Sequence, residues 1–167
     1  MRIIGIDPGL LNTGWGIIET KGSSLSFVAT GLVKTSPAES FALRLNHIDT
    51  ELEKAVRLYK PSHAAIEETF VNNNPTSTLK LGMARGAAIT SLARMDLPVA
   101  EYAARFVKKA IVGTGRADKT QMGHMIQHLL VIKQAINSDQ ADALGVAICH
   151  ANYASTSTSA QKQRLEA

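Results

Sequence analysis

The chain has very little cysteine and no long apolar run. Cys149 is the single cysteine among 167 residues, so an internal disulfide and a cysteine-based zinc site are both excluded. This cysteine usage is typical of a reducing compartment, and we expect a cytoplasmic protein. No apolar run approaches the roughly 20 residues that span a bilayer. The opening residues, Met1-Arg2-Ile3-Ile4, lack the length and cleavage site of a signal peptide and instead predict a strand.

Length and composition indicate an ordinary globular protein. A chain of 167 residues is long enough for one domain with a real core, and 45% of its residues are apolar while 19% are charged. Its last part begins with a low-complexity run of serine and threonine at 154–159. We therefore expect a single domain over residues 1–153 and a disordered tail over residues 154–167.

Positive charge is concentrated in one part of the sequence. Residues 80–133 carry nine basic and three acidic side chains, a net charge of +6 within a chain whose total is +4. The basic residues of this segment are Lys80, Arg85, Arg94, Arg105, Lys108, Lys109, Arg116, Lys119 and Lys133. A one-sided basic surface suggests a polyanionic partner such as nucleic acid, although an ordinary solvated face has the same composition.

The order of predicted elements indicates an α/β fold. Apolar runs at 2–7, 14–18 and 25–33 predict three strands of a short meander. Ser36 is a candidate helix N-cap before Pro37, and apolar residues then recur at helical spacing up to Pro61. The remaining strands and helices are predicted at 63–67, 77–95, 97–102, 103–112, 118–132 and 138–153. The order β-β-β-α-β-α-β-α-α-α predicts a mixed five-stranded sheet with helices on its faces.

Four carboxylates occupy positions where acids are normally avoided. Asp7 and Glu67 each close an apolar strand, and Asp139 and Asp142 lie three apart at the start of an apolar helix. Acids next to a core cost free energy unless a ligand offsets their repulsion. If strands 1 and 4 are neighbours, these carboxylates meet at one sheet edge, where oxygen ligands suit one or two Mg²⁺ ions. Two such ions suit the attack of water on a phosphodiester.

Each acid also has an ordinary structural interpretation when it is taken alone. Asp7 precedes Pro8-Gly9, which is common turn chemistry. Asp139 is a first-turn acid that the helix dipole favours. The combination of all four acids, rather than any one of them, indicates a functional site.

Six blocks of sequence between residues 1 and 153 form a recognisable series. They are Ile4-Gly5-Ile6-Asp7-Pro8-Gly9 with Thr13-Gly14-Trp15-Gly16, Ala65-Ile66-Glu67-Glu68-Thr69-Phe70, Leu79-Lys80-Leu81-Gly82-Met83-Ala84-Arg85-Gly86, Tyr102-Ala103-Ala104-Arg105, the Lys119 helix, and Asp139-Gln140-Ala141-Asp142-Ala143-Leu144. In their order and spacing these blocks resemble the RuvC family of Holliday-junction resolvases. The segments Leu10-Leu11-Asn12 and Asn72-Asn73-Asn74 depart from the commoner family versions, in regions that bear on DNA contact rather than on the acids.

The resemblance implies a ribonuclease-H-like fold and a homodimer that resolves four-way DNA junctions by paired symmetric nicks in recombination and repair. It implies Mg²⁺ dependence, with Mn²⁺ as a substitute and two ions in each site. It assigns catalysis and metal binding to Asp7, Glu67, Asp139 and Asp142, and DNA binding to Phe70, Arg85, Lys108 and Lys119. It also implies that the RuvA and RuvB branch-migration proteins are partners. Small residues on one side of the 82–93 helix suggest where a second subunit packs.

Two other interpretations remain open at this point. An actin-like phosphotransferase also opens with Asp-x-Gly near a β-meander, but this chain has one lobe and no second phosphate loop. A non-catalytic DNA-binding module of the same fold is the other alternative, and the presence of all four acids argues against it.

Overall fold

The protein is built on a mixed five-stranded sheet. The computed structural model describes residues 1–68, 74–114 and 118–165, with residues 155–165 described by their backbone alone. The strands are β1 (Arg2–Asp7), β2 (Asn12–Lys21), β3 (Ser24–Lys34), β4 (His63–Glu67) and β5 (Val99–Tyr102). Their order in the sheet is β3-β2-β1-β4-β5, with β1, β4 and β5 parallel and β2 and β3 antiparallel to their neighbours. The predicted sheet is confirmed.

Five helices complete the described part of the chain. They are α1 (Phe41–Tyr59), α2 (Pro75–Arg94), α3 (Ala104–Val112), α4 (Lys119–Leu129) and α5 (Ser138–Leu165). The order of strands and helices is the predicted one. Among these helices, none is long and apolar enough to cross a membrane.

The alternation of side chains along β1 divides the core into two layers. Ile4 and Ile6 pack with α1 and α2 on one face of the sheet, in a cluster that includes Leu52 and Leu92. Ile3 points to the other face, into the cluster formed by α3, α4 and α5. Successive residues of a strand point to opposite faces, so a buried strand needs apolar residues at every position. The sheet is therefore held between two helical layers.

Helix α1 begins later than the sequence predicts. Ser36 instead begins a turn. The Ala38 amide donates to the Ser36 hydroxyl, and the Glu39 amide donates to the Ser36 carbonyl. The N-cap is Ser40, whose hydroxyl accepts a hydrogen bond from the Leu43 amide. Both serines are good caps by type, so residue type alone does not decide between them.

Helix α5 is longer than predicted, because it continues beyond Tyr153 to Leu165. The serine and threonine run at 154–159 is short, and the residues that follow it are strong helix formers: Ala160, Gln161, Lys162, Gln163, Arg164 and Leu165. The prediction that this helix ends at Tyr153 is therefore wrong, because the backbone stays helical to Leu165. The division into a domain at 1–153 and a separate tail at 154–167 stays a prediction.

Candidate active site

Two of the four predicted acids end neighbouring parallel strands. Ile6 on β1 pairs with Ile66 on β4, so the next residue along each strand, Asp7 and Glu67, lies at the same edge of the sheet. Both strands are buried up to these positions, and both acidic side chains are only partly exposed. The backbone of two central strands therefore holds these two carboxylates in place.

Glycines bring the other two acids to the same edge. A Cβ built on Gly14, the β2 partner of Asp7, would lie 2.5 Å from the carbonyl carbon of Asp139. A Cβ on Gly5 would lie 2.7 Å from the Ala147 amide nitrogen, and one on Gly16 would lie 2.6 Å from the Leu144 side chain. Such distances are shorter than any real contact, so only glycine lets α5 lie directly on the sheet. The first turn of α5 therefore carries Asp139 and Asp142 to the ends of β1 and β4.

The acids raise one another's proton affinity. Burial, followed by the charges of Glu67, Asp142 and Asp139, raises the pKa of Asp7 to about 8. Burial and the charge of Asp142 raise the pKa of Glu67 to about 7. Shifts of this kind arise where carboxylates are crowded in a partly dry place, and they are common at functional sites.

Two of the predicted basic residues act on this cluster. The Lys119 ammonium lies 3.6 Å from the Asp142 carboxylate, and its own side chain is 77% exposed. Lys119 occupies the first turn of α4, which Asp118 starts with a capping box. Burial raises the pKa of Asp142, and Lys119 and Lys108 oppose that rise. The structure thus places the predicted lysines beside the acids, while the Lys119 ammonium remains open to solvent.

The donor chemistry at this edge fits a hard divalent cation. Carboxylate oxygens are the ligands that Mg²⁺ and Mn²⁺ prefer, and a cation would offset the repulsion that raises the pKa values. Within the described ranges, no group of three or more His, Cys, Asp or Glu side chains is already arranged to hold a metal ion. The oxygen donors of the cluster therefore suit such a cation, but the described side chains are not arranged around one point as ligands.

Arg85, predicted as a DNA-binding residue, has two partners inside the protein. Its Nε donates to the Glu67 carbonyl at 3.2 Å, and its Nη2 forms an ion pair with Glu101 on β5. The side chain is only 20% exposed. In this arrangement Arg85 supports the backbone that carries Glu67. Phe70, the other predicted DNA contact in this region, lies outside the described residues.

The sequence patterns do not single out Arg44, which lines a cleft together with two of the acids. Its side chain lines the same cleft as Asp7 and Asp139, and the residue is 8% exposed. A signal is present in the sequence, because Arg44 precedes Ile48 and Leu52 at intervals of four on the buried face of α1. An arginine at an apolar-face position is unusual enough to mark a site.

Fold and site together define a class of protein. A mixed sheet of this order, with helices on both faces and carboxylates at the ends of two adjacent parallel strands and on the last helix, is the ribonuclease-H-like arrangement of a nuclease.

Comparisons with known proteins identify the family within that class. The family model of crossover junction endodeoxyribonuclease RuvC matches residues 3–150. A crossover junction endodeoxyribonuclease RuvC from Acidiphilium cryptum is 51% identical over 157 residues, which cover 94% of each chain. The chain belongs to the RuvC family of crossover junction endodeoxyribonucleases, and the resemblance noted in the sequence is confirmed. This membership decides against the actin-like phosphotransferase.

Solved structures agree with this assignment. The structure of Thermus thermophilus RuvC in complex with Holliday junction substrate superposes with a TM-score of 0.89 at 32% identity, covering 95% of this chain and 97% of that one. The yeast mitochondrial Holliday junction resolvase Ydc2 superposes with a TM-score of 0.62 at 13% identity, covering 88% of this chain and 76% of that one. The yeast protein supports the fold alone.

Proposed function

We propose that this endonuclease resolves four-way DNA junctions by paired symmetric nicks during recombination and repair, with Asp7, Glu67, Asp139 and Asp142 as its catalytic acids. The observation that carries the proposal is the crowding of these acids at one sheet edge, where the other three all raise the pKa of Asp7. A fold gains nothing in stability from such crowding, so a function accounts for it better.

The acids are suited to hold Mg²⁺, and we infer two ions in each site. Bound there, the ions would activate water and stabilise the negative charge that develops on the phosphate. Asp7 and Glu67 are fixed by the sheet and would supply the rigid ligands. Asp142, which forms an ion pair with Lys119, and Asp139 would add ligands from the first turn of α5.

Cleavage of a synthetic four-way junction in different metals tests the proposal. We expect paired nicks with Mg²⁺ or Mn²⁺, and binding without cleavage with Ca²⁺, because Ca²⁺ is larger and adopts looser geometry. A linear duplex of the same sequence is the matched substrate control. Full cleavage in EDTA would show that the acids have another role, and binding without cleavage in every metal would favour the non-catalytic module.

Lys108 and Lys119 should bind DNA phosphates. Each phosphate that a lysine neutralises releases counterions, so either replacement by Ala should weaken junction binding and make the salt dependence shallower by about one unit. Fluorescence anisotropy across a salt series measures this slope. Lys54, which pairs with Glu51 on α1, is the matched control. A slope unchanged in Lys119→Ala would show that this lysine serves only to neutralise Asp142.

Phe70 is proposed to stack on an unpaired base at the crossover, as the family resemblance implies. An aromatic face can hold a base by about 1–3 kcal/mol. Phe70→Ala should therefore slow junction cleavage strongly and leave the unfolding temperature unchanged. A junction with unpaired bases already at its centre should recover part of the rate. A loss of roughly 3–5 kcal/mol in unfolding free energy would instead identify a core residue.

The protein is proposed to act as a homodimer, with one active site for each cut strand. On α2, Gly82 and Gly86 face open space, and Leu79 and Met83 beside them are 61% and 44% exposed. Sedimentation should show a dimer at micromolar concentration, and Met83→Glu should shift it toward monomer. Leu58→Glu, at an exposed apolar position on α1, is the control that should not. A wild-type monomer, free and on DNA, would refute this arrangement.

RuvA and RuvB are proposed partners on the family resemblance alone. Retention of the protein on immobilised RuvA or RuvB in the presence of a junction tests this proposal.

A cytoplasmic location is proposed from the cysteine usage. Fractionation of cells that produce the protein tests this location, and recovery in the membrane fraction would contradict it.

A further inference from the structure

A cleft that two of the acids line contains a buried cation, Arg44, which has no anionic partner among the described residues. The cleft has a volume of about 560 Å³ and lies between the turn at 8–12 and helices α1 and α2. Asp7 and Asp139 line it, together with Arg44 and Lys80. A volume of this size falls in the range of ordinary ligand sites.

Arg44 is anchored but not neutralised. Its Nε donates to the Thr35 hydroxyl at 2.9 Å and its Nη2 donates to the Leu10 carbonyl at 3.3 Å. A guanidinium has further N–H donors, and these bonds use only part of them. In the described part of the chain, no carboxylate lies within ion-pair distance of Arg44 or Lys80. A buried charge without a partner is costly, so an anion that enters the cleft would be stabilised.

Arg44 on α1 and Lys80 on α2 belong to the helical layer on one face of the sheet, whereas Lys108 on α3 and Lys119 on α4 belong to the layer on the other face. Lys119 moderates the acids directly, and Lys108 acts on Glu67 and Asp142. Among the described residues, neither Arg44 nor Lys80 forms an ion pair with a carboxylate, so their positive charges are available to a ligand.

We propose that this cleft binds the strand being cut, on one side of the scissile phosphate, with Arg44 and Lys80 contacting a backbone phosphate there. The arginine fork suits a phosphate in a fixed position, and the exposed lysine supplies a mobile point charge. The leucine and proline side chains of the cleft, Leu10, Leu81, Pro8 and Pro37, suit the apolar faces of a sugar or base. Lys108 and Lys119 would hold the strand on the opposite side of the cut, so the acids would lie between two phosphate contacts.

This inference rests on the proposed junction cleavage, and a neutral-phosphate scan tests it separately. Junctions are made with one methylphosphonate at each of the three positions on either side of the cut. Wild-type cleavage should fall about tenfold at one position, since a charge-assisted hydrogen bond is lost there. Lys80→Ala should lose only about threefold from the same substitution, because one of the two contacts to that phosphate is already absent. Arg44→Lys should lose an intermediate amount, since lysine keeps the charge without the fork.

The control variants distinguish this subsite from the phosphate contacts proposed for Lys108 and Lys119, and from general destabilisation of the protein. Arg57→Ala, on the outer face of α1, should show the wild-type interference pattern at every position. Lys119→Ala should lose its sensitivity at a position on the other side of the cut. Lys80→Ala with the same interference pattern as Arg57→Ala would overturn the inference while junction cleavage stands. A wild-type protein that cleaves no junction would overturn the proposed function, and this inference with it.

Discussion

Asp7→Asn is expected to slow junction cleavage at least about 10³-fold while the protein still folds and binds junctions. Asp7 is fixed at the end of β1 and lies among the three other acids, so it is the ligand best placed for a shared cation. An amide has the same shape but no charge, and the stabilisation of the transition state by a held cation is lost with it. Single-turnover cleavage with Mg²⁺ and anisotropy with Ca²⁺ measure the two properties separately.

The same substitution should stabilise the metal-free protein. Because the folded-state pKa of Asp7 is about 8, folding favours its protonated form. The contribution of Asp7 to the free energy of unfolding is therefore full below about pH 4. It is lost as the pH rises toward 8, where the carboxylate must ionise among other acids. In EDTA at pH 8.5 or so, Asp7→Asn should raise the unfolding temperature by roughly 3–10 °C, and this gain should vanish near pH 4.

Asp96→Asn is the matched control for both measurements. Asp96 is exposed, far along the chain from the acids, and has a positive φ of 59°, which asparagine adopts readily. It should change neither cleavage nor the pH dependence of stability. Cleavage by Asp7→Asn within a few fold of wild type would contradict the assignment, and a drop in its stability in EDTA at high pH would contradict the electrostatic account.

Gly14→Ala is expected to reduce cleavage by about 10²-fold and to destabilise the fold by roughly 1–3 kcal/mol. The added methyl group would overlap the Asp139 carbonyl at the start of α5, a backbone group that cannot rotate away. The first turn of α5 would have to move off the sheet and carry Asp139 and Asp142 with it. A displacement of about 1 Å is enough to spoil a metal-dependent site. Urea unfolding and cleavage at saturating Mg²⁺ measure the two losses.

Gly123→Ala is the control for this prediction. Gly123 lies inside α4, and a Cβ there meets nothing within 4 Å. Alanine is favoured over glycine in a helix by about 1 kcal/mol, so this variant should be slightly more stable than wild type. If Gly14→Ala behaves in the same way and keeps full activity, the close docking of α5 does not position the acids.

The sequence by itself determined which segments form strands and helices, because that information is local. Alternation along 2–7 and 63–67 marks two buried strands, and each ends in an acid. The spacing of Asp139 and Asp142 marks a helical pair. The resemblance to the family motifs then suggests which residues serve catalysis and DNA binding, which composition alone does not indicate. Local patterns were weaker at helix ends. They could not choose Ser40 over Ser36, since both are good caps by type. At the end of α5, the serine and threonine run at 154–159 hid the helix-forming residues that follow it.

Only the tertiary structure decided what happens between residues far apart in the chain. Asp7 and Asp139 meet because Gly14 lets the start of α5 touch β2, and no sequence period encodes that contact. The raised pKa of Asp7 follows from burial and from three acids that are far away along the chain but near in space. It therefore exists only in the folded protein. Arg85 has its partners on two strands, and Arg44 lies buried in a cleft that it shares with Asp7 and Asp139, with no counter-charge in the described part of the chain. Charge interactions and close packing act through space, whereas sequence patterns report only neighbours along the chain.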